Sequence, residues 1–260
     1  MKLYITTLGN FDIRDENQSL FKETSRQYRL YKLLQYFITF RHKKLLPENI
    51  IENIFSDNDS LDPKNVLRSQ IFRLRQLLDE YIPKDVDESN YINISFANGY
   101  YTLEMGEMVV LDMDYFETLI KEADRYETID INKSTILYKE ALSLYNGAYL
   151  SEQTYETWIV PTRNYYYRMY IKTLYKLIEI LKSHSMYEEI VEICEKALMI
   201  EHYDENIHIS LVEAMLNLGH IKIAMNHYIY TTSLLEKEFH TKPSPRLQEL
   251  FLRMRNYAIE

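Results

Sequence analysis

Residues 64–78 constrain the fold more than any other stretch, because their apolar side chains recur at intervals of three and four. That spacing predicts a helix with one face packed on a core. The apolar positions are Leu67, Ile71, Leu74 and Leu78. The other face carries four cations, and no acid occurs before Asp79, although the chain has a net charge of -9. Such a helix suits the major groove of DNA, where Arg and Gln reach phosphates and base edges. A solvated amphipathic helix without a ligand is the alternative.

Composition favours a mainly helical protein of one large or two ordinary domains. The chain has 260 residues, with only five Gly and six Pro, which leaves little room for many tight turns. The single cysteine, Cys194, excludes an intramolecular disulfide framework and lies on an apolar stripe that predicts burial. Neither a signal peptide nor a membrane-spanning stretch is evident, so we expect a cytoplasmic protein without a membrane partner.

The charge is distributed unevenly along the chain. Residues 1–105 carry 14 Lys and Arg against 15 Asp and Glu, whereas the remainder carries 16 against 24. Two regions of different electrostatic character are therefore expected. The second, acidic region is not expected to touch phosphate.

The first region has the element order of a winged helix-turn-helix. Residues 2–21 predict an antiparallel meander of two or three strands. A helix over 26–40 follows, with Thr24 or Ser25 as its N-cap, and Pro47 opens a short helix over 48–55. Asp62 is placed to cap the basic helix, predicted over 64–81. Alternating strand residues on both sides of Asn98-Gly99 then predict a hairpin, the wing of such a fold.

These elements resemble the output domain of OmpR-type regulators. The similarity rests on the early strands, on Ile71-Phe72-Arg73-Leu74-Arg75, and on Gly99-Tyr100-Tyr101-x-Leu103. The family's usual Trp-Pro-Asp is replaced by Phe55-Ser56-Asp57, where Phe55 fits the same core position. The resemblance implies a set of DNA-facing residues at the helix start, on its outward positions and at the wing tip: Lys64, Asn65, Arg68, Ser69, Gln70, Phe72, Arg73, Arg75, Asn98 and Gly99. Arg73 is expected to read bases and Arg75 to contact phosphate, although the two roles are interchangeable.

The second region resembles the bacterial transcriptional activator domain (BTAD) of the antibiotic-regulatory-protein (SARP) type. Its strongest string is Ala141-Leu142-x-Leu144-Tyr145-x-Gly147-x-Tyr149-Leu150, and Trp158 with Arg163 matches a second element. The resemblance implies domains at 1–106 and 107–260, a cytoplasmic bacterial activator, and three interactions. These are double-stranded DNA at directly repeated sites, RNA polymerase, and self-association as a dimer at least on DNA.

Helical repeats are predicted near the C-terminus. Helices are expected over 186–200, 204–218 and 220–239, with a last one opening at Pro243-Ser244-Pro245. Four residue pairs recur at an offset of 34, the period of tetratricopeptide repeats, although chance periodicity is the alternative. The pairs are Ser185/Gly219, Tyr187/Ile221, Ile190/Ala224 and Ala197/Thr231.

No enzyme motif, cofactor site or metal site is expected. The sequence lacks a glycine-rich phosphate loop, His-Glu-x-x-His and Cys-x-x-Cys. The histidines at 202, 208, 220 and 227 are interpreted as surface or groove-lining residues rather than metal ligands. Tyr166 and Tyr170 share a helix face, which favours packing over a concave ligand-gripping face. A sensor that binds a peptide or metabolite through its repeats, with a winged helix that no longer reads DNA, is the alternative function.

Overall fold

A computed structural model describes residues 1–20, 27–56, 61–83 and 87–257. They form two compact units. The first comprises Met1–Lys121 and Ser143–Met169, and the second comprises Glu122–Leu142 and Tyr170–Glu260. These packing units do not test the sequence domains 1–106 and 107–260, which stay a prediction. In the described parts of the chain, no helix combines the length and apolarity that a membrane crossing requires.

A three-stranded sheet opens the first unit. Strands β1 (Leu3–Thr6) and β2 (Asp12–Arg14) pair antiparallel, as predicted. Beyond β2 the described residues add only an isolated bridge between Arg14 and Ser19. The third strand is instead β5 (Val109–Leu111), which follows the wing and runs parallel to β1. The sheet order is β2-β1-β5, so the sheet is closed by a strand about 100 residues away in sequence.

Three helices follow the first two strands. They are α1 (Tyr28–Thr39), α2 (Pro47–Ile54) and α3 (Pro63–Asp79). The predicted caps Thr24 and Ser25 lie outside the described residues. Phe55 is buried after α2, as expected for a residue that fills the core position of the usual Trp. The helices pack mutually on a core that includes Phe37, Ile50 and Leu74, none of which has measurable solvent exposure.

The wing is a two-stranded hairpin of β3 (Ile92–Ala97) and β4 (Tyr100–Met105). Asn98 and Gly99 have φ of 53° and 85°, the positive values that a type I′ turn requires at both central positions. Gly106, after β4, lies so close to Asn90 that an added Cβ would sit 2.2 Å from the Asn90 carbonyl carbon. Only glycine fits there, and the chain turns from β4 toward β5 at this point.

Three further helices connect to the repeats. They are α4 (Asp112–Tyr126), α5 (Ile131–Leu144) and α6 (Val160–Ser183). At the start of α4, the buried Asp112 carboxylate accepts hydrogen bonds from the Thr7 and Leu8 amides at 2.6 and 2.8 Å, and from the Thr7 hydroxyl. Burial raises the pKa of Asp112, although these hydrogen bonds oppose the rise. The carboxylate thus joins the end of β1 to α4.

Residues 143–169 complete the core of the first unit. The Tyr149 hydroxyl lies 2.7 Å from that of Thr39 on α1. The ring of Trp158 packs edge-on against Tyr36, with centroids 5.1 Å apart. The Glu152 carboxylate accepts hydrogen bonds from the Gln35 side chain and from the Phe11 amide. α1 therefore shares one core with a segment more than 100 residues further along the chain.

The second unit ends in four helices at the predicted places. They are α7 (Tyr187–Leu198), α8 (Glu205–Asn217), α9 (Ile221–Phe239) and α10 (Pro245–Tyr257). α7 packs on α8, α8 packs on α9, and α10 contacts both α8 and α9. The Asp204 carboxylate caps α8 by accepting from the amide of Asn206 at 2.9 Å.

The repeat of 34 residues is confirmed by the backbone and by burial. Ser185 and Gly219 both adopt positive φ, 56° and 77°, at equivalent helix ends. Ile190 and Ala224 are buried, and so are Ala197 and Thr231. Chance periodicity would not place equivalent residues in the same conformation and the same environment. The pairs therefore mark true repeats of one unit of two antiparallel helices.

Cys194 and two tyrosines of α6, Tyr166 and Tyr170, are packing residues. Cys194 has no solvent exposure, and burial raises the pKa of its thiol to about 12, so it is inert as a nucleophile. Tyr166 and Tyr170 are both buried. The Tyr166 hydroxyl donates to the Glu117 carboxylate at 3.0 Å. Burial of this face confirms the packing interpretation.

The placement of His208 differs from its prediction. His208 is only 1% exposed, so the interpretation as a surface or groove residue is wrong for this histidine. Its Nε2 lies 3.0 Å from the His202 carbonyl oxygen and its Nδ1 lies 2.9 Å from His227 Nε2. The carbonyl requires a proton on His208 Nε2, so in the neutral pair His227 Nε2–H donates to His208 Nδ1. α8 is apolar on nearly all sides, a signal of burial that outweighs the polarity of one histidine.

This histidine pair predicts a loss of stability in acid. Burial and the neighbouring His208 lower the pKa of His227 to about 4, and burial also lowers the pKa of His208. Between about pH 6.5 and pH 4 the unfolded chain therefore binds more protons than the folded one, and stability falls as the pH falls. Discounted for the partial exposure of His227, the loss attributable to it between pH 7 and pH 5 is about 1 kcal/mol.

Denaturant unfolding at pH 7 and pH 5 measures this effect. In the matched variant His227→Gln, the amide keeps a donor for His208 but does not titrate in this range. We expect a smaller difference between the two pH values for the variant than for the wild type. Equal differences would contradict the role assigned to the pair.

Candidate nucleic-acid interface

The start of α3 is held by its cap and by one ion pair. The Asp62 carboxylate accepts from the Asn65 amide at 3.0 Å, which confirms the predicted cap. The Lys64 ammonium lies 2.6 Å from the Glu48 carboxylate, and this hydrogen bond lowers the pKa of Glu48. Both side chains are more than half exposed, so the pair is weak and Lys64 is available to exchange Glu48 for a phosphate.

Burial of one face of α3 determines which residues face outward. Leu67, Ile71, Leu74, Leu77 and Leu78 are buried, as the apolar spacing predicts. Because the helix is locked on this face, the opposite face is fixed toward solvent. Of the predicted DNA-facing residues on α3, those that are exposed are Lys64, Asn65, Arg68, Ser69, Phe72 and Arg73, and those that are half-buried are Gln70 and Arg75.

The guanidinium groups of Arg68 and Arg73 are the unengaged cations of this face. Within the described residues neither is placed in a hydrogen bond or an ion pair. α3 also carries no acid in its first turn. Arg68 lies near Tyr101 of the wing, and although its charge opposes the effect, burial raises the pKa of the Tyr101 phenol. The exposed face of α3 is thus electropositive next to a neutral wing residue.

Arg75 is engaged within the fold. Its Nε and Nη2 donate to the carbonyl oxygen of Ile94 on β3, at 2.9 and 2.5 Å. The side chain therefore fastens α3 to the wing, and its remaining N–H groups alone are left for a phosphate. The phosphate contact assigned to Arg75 by resemblance stays a prediction.

The wing tip is open and carries no cation. Asn98 and Gly99 are exposed, and a Cβ added to Gly99 would meet nothing within 4 Å. The aromatic side chains of Phe96 and Tyr100, which are not among the predicted DNA-facing residues, are exposed beside the tip. Phe96 alternates with the buried Ile92 and Ile94, a pattern that predicts burial, so only the structure places it outside. Tyr100 instead alternates with polar residues of β4, which is consistent with its exposure.

The wing is also fixed from behind. Leu45, just before α2, and Tyr101 on β4 exchange backbone hydrogen bonds of 2.8 Å in each direction. This pairing and the hydrogen bonds of Arg75 fix the wing relative to α3. The arrangement can present two adjacent elements to a duplex without a large loss of conformational entropy on binding.

Among the described residues, no group of three His, Cys, Asp or Glu side chains is placed to hold a metal ion. The chemistry offered by the exposed face of α3 is hydrogen bonding and charge. Its exposed donors match phosphate oxygens and the acceptor edges of bases.

Comparisons with known proteins concern both parts of the chain. The family described as bacterial transcriptional activator domain matches residues 111–255. No curated protein gives a significant match. Among solved structures, Mycobacterium tuberculosis EmbR in complex with a low-affinity phosphopeptide is similar, with a TM-score of 0.72 and 14% identity. The alignment covers 98% of this chain and 65% of that one, and at this identity it shows a common fold only.

Proposed function

The chain belongs to the bacterial transcriptional activator domain family, and on that premise we propose that it is a sequence-specific DNA-binding regulator of transcription. The observation that carries the proposal is the outward face of α3, where Arg68 and Arg73 are exposed and make no hydrogen bond or ion pair with the part of the chain that the structure describes. In a winged helix this element is the third helix, which enters the major groove. The acidic charge of the chain lies mostly beyond residue 105 and leaves this face positive.

The roles of individual residues follow from their surroundings. Arg73 and Arg68 are the candidates for base readout, because bidentate Arg–guanine pairs require a free guanidinium. Lys64 and Asn65, at the exposed helix start, are placed for the phosphate backbone. Asn98 and Gly99 approach the adjacent minor groove, where a tip without Arg or Lys gives little readout.

The C-terminal repeats are proposed to act through proteins. By analogy with the family, they support self-association on directly repeated half-sites and contact with RNA polymerase, and the protein is an activator. The excess of acids after residue 105, 24 against 16 Lys and Arg, favours a basic partner surface over DNA.

In vitro selection from a random duplex library, followed by footprinting of the full chain, tests the function. We expect one enriched sequence and two protected segments in direct repeat, spaced by about one helical turn of 10–10.5 base pairs or a multiple of it. A pool that stays random after selection would refute sequence-specific recognition. A single protected segment, with no second copy in direct repeat, would refute self-association on DNA while leaving DNA recognition intact.

A further inference from the structure

One apolar side chain stands in the middle of the polar face of α3. Phe72 is 60% exposed, although the leucine and isoleucine side chains of this helix are buried. The ring therefore contributes little to the core. Single exposed apolar residues are common on protein surfaces, so exposure alone assigns no role.

The neighbours of Phe72 identify what can cover it. On a helix, residues three and four positions apart are adjacent, which places Arg68 and Ser69 one turn before Phe72 on the same face. Arg73 follows it directly, and all three are exposed. An apolar surface surrounded by cations fits a polyanion that carries an apolar group better than it fits an apolar protein pocket, which would have to desolvate the guanidinium groups.

Duplex DNA offers one such group in the major groove. The C5-methyl of thymine is the only apolar substituent on the major-groove edges, and apolar side chains contact it there. We propose that Phe72 is a specificity-determining residue that packs on a thymine methyl, an inference that rests on the proposed function. Arg68 and Phe72 are separated by about 6 Å along the helix axis, so this thymine lies within about two base pairs of the base contacted by Arg68.

Substitution of single thymines by deoxyuridine in the selected duplex tests the inference, because it removes only the methyl group. We expect one such substitution per half-site to weaken binding of the wild type by about three- to five-fold, the value of one buried methyl. Phe72→Ala should bind the unmodified duplex more weakly than the wild type. Deoxyuridine at the position that weakens wild-type binding should no longer weaken binding of this variant. Its exposed position leaves the fold intact.

Gln76→Ala provides the matched control, since Gln76 is exposed one turn after Phe72 on the same helix. This variant should keep the wild-type response to deoxyuridine. Wild-type binding that no single deoxyuridine weakens would overturn the inference, and so would an unchanged response in Phe72→Ala. In either case the enriched sequence would still support the proposed function. A library without enrichment would instead refute the function and this inference together.

Discussion

Charge reversal of Arg68 and Arg73 together is expected to weaken binding to the selected duplex by at least about 100-fold. Each bidentate arginine–base pair is worth about 1–3 kcal/mol, and every 1.4 kcal/mol is a tenfold change in affinity. Glutamates at these positions also repel the phosphates. Both side chains are exposed, so the substitutions should not disturb folding. Fluorescence anisotropy with a labelled duplex measures the loss.

The matched control is Arg253→Glu with Arg255→Glu on α10, two exposed residues whose reversal changes the net charge by the same amount. We expect this variant to bind within a few fold of the wild type. If the control loses as much affinity as the α3 variant, the loss is caused by the change in net charge. In that case α3 is not the helix that recognises DNA.

Tyr149→Ala is expected to destabilise the protein by about 3–5 kcal/mol, the usual cost of removing a buried aromatic side chain. Tyr149 is fully buried in the first unit and its hydroxyl bonds to Thr39 on α1. The variant therefore leaves a cavity and removes one hydrogen bond of the Thr39 hydroxyl, which keeps its bond of 2.7 Å to the Gln35 carbonyl oxygen. Denaturant unfolding gives the difference in free energy.

Tyr155→Ala is the matched control, because Tyr155 lies in the same segment but is 94% exposed. Its cost should stay within about 0.5 kcal/mol. Similar losses in the two variants would contradict the structural role of residues 143–169. A large loss in Tyr149→Ala alone would indicate that a fragment ending at residue 106 lacks part of the core that stabilises α1.

Local sequence signals predicted most of the elements correctly. The Asn98-Gly99 turn, the Asp62 cap and the apolar spacing of α3 each depend on neighbouring residues, so they are readable from the sequence. The same holds for the repeat of 34. The resemblance to regulators of the antibiotic-regulatory-protein type is confirmed by the family match over 111–255 and by the winged-helix and helical-repeat fold.

Long-range packing was not readable in the same way. β5 has three residues, too few for a periodic pattern, and its partner β1 lies about 100 residues earlier. The contacts of Tyr149 and Glu152 with α1 likewise join segments far apart in sequence. The hydrogen bond from Arg75 to Ile94 could not be predicted from the sequence either, because it depends on where the wing packs against α3. Sequence spacing places Arg75 on the outward part of α3 but does not reveal its partner.

Sequence recognition by the exposed face of α3 is the core of the proposed function. The most direct measurement compares the dissociation constants of wild type and Arg73→Ala for the selected duplex and for a scrambled duplex of equal length at one salt concentration. We expect wild type to prefer the selected duplex by at least about 1,000-fold. Arg73→Ala should lose about ten-fold or more in affinity for the selected duplex and much less for the scrambled one. Equal affinities of wild type for the two duplexes would contradict sequence recognition by α3. An equal loss of affinity for both duplexes in the variant would contradict it as well.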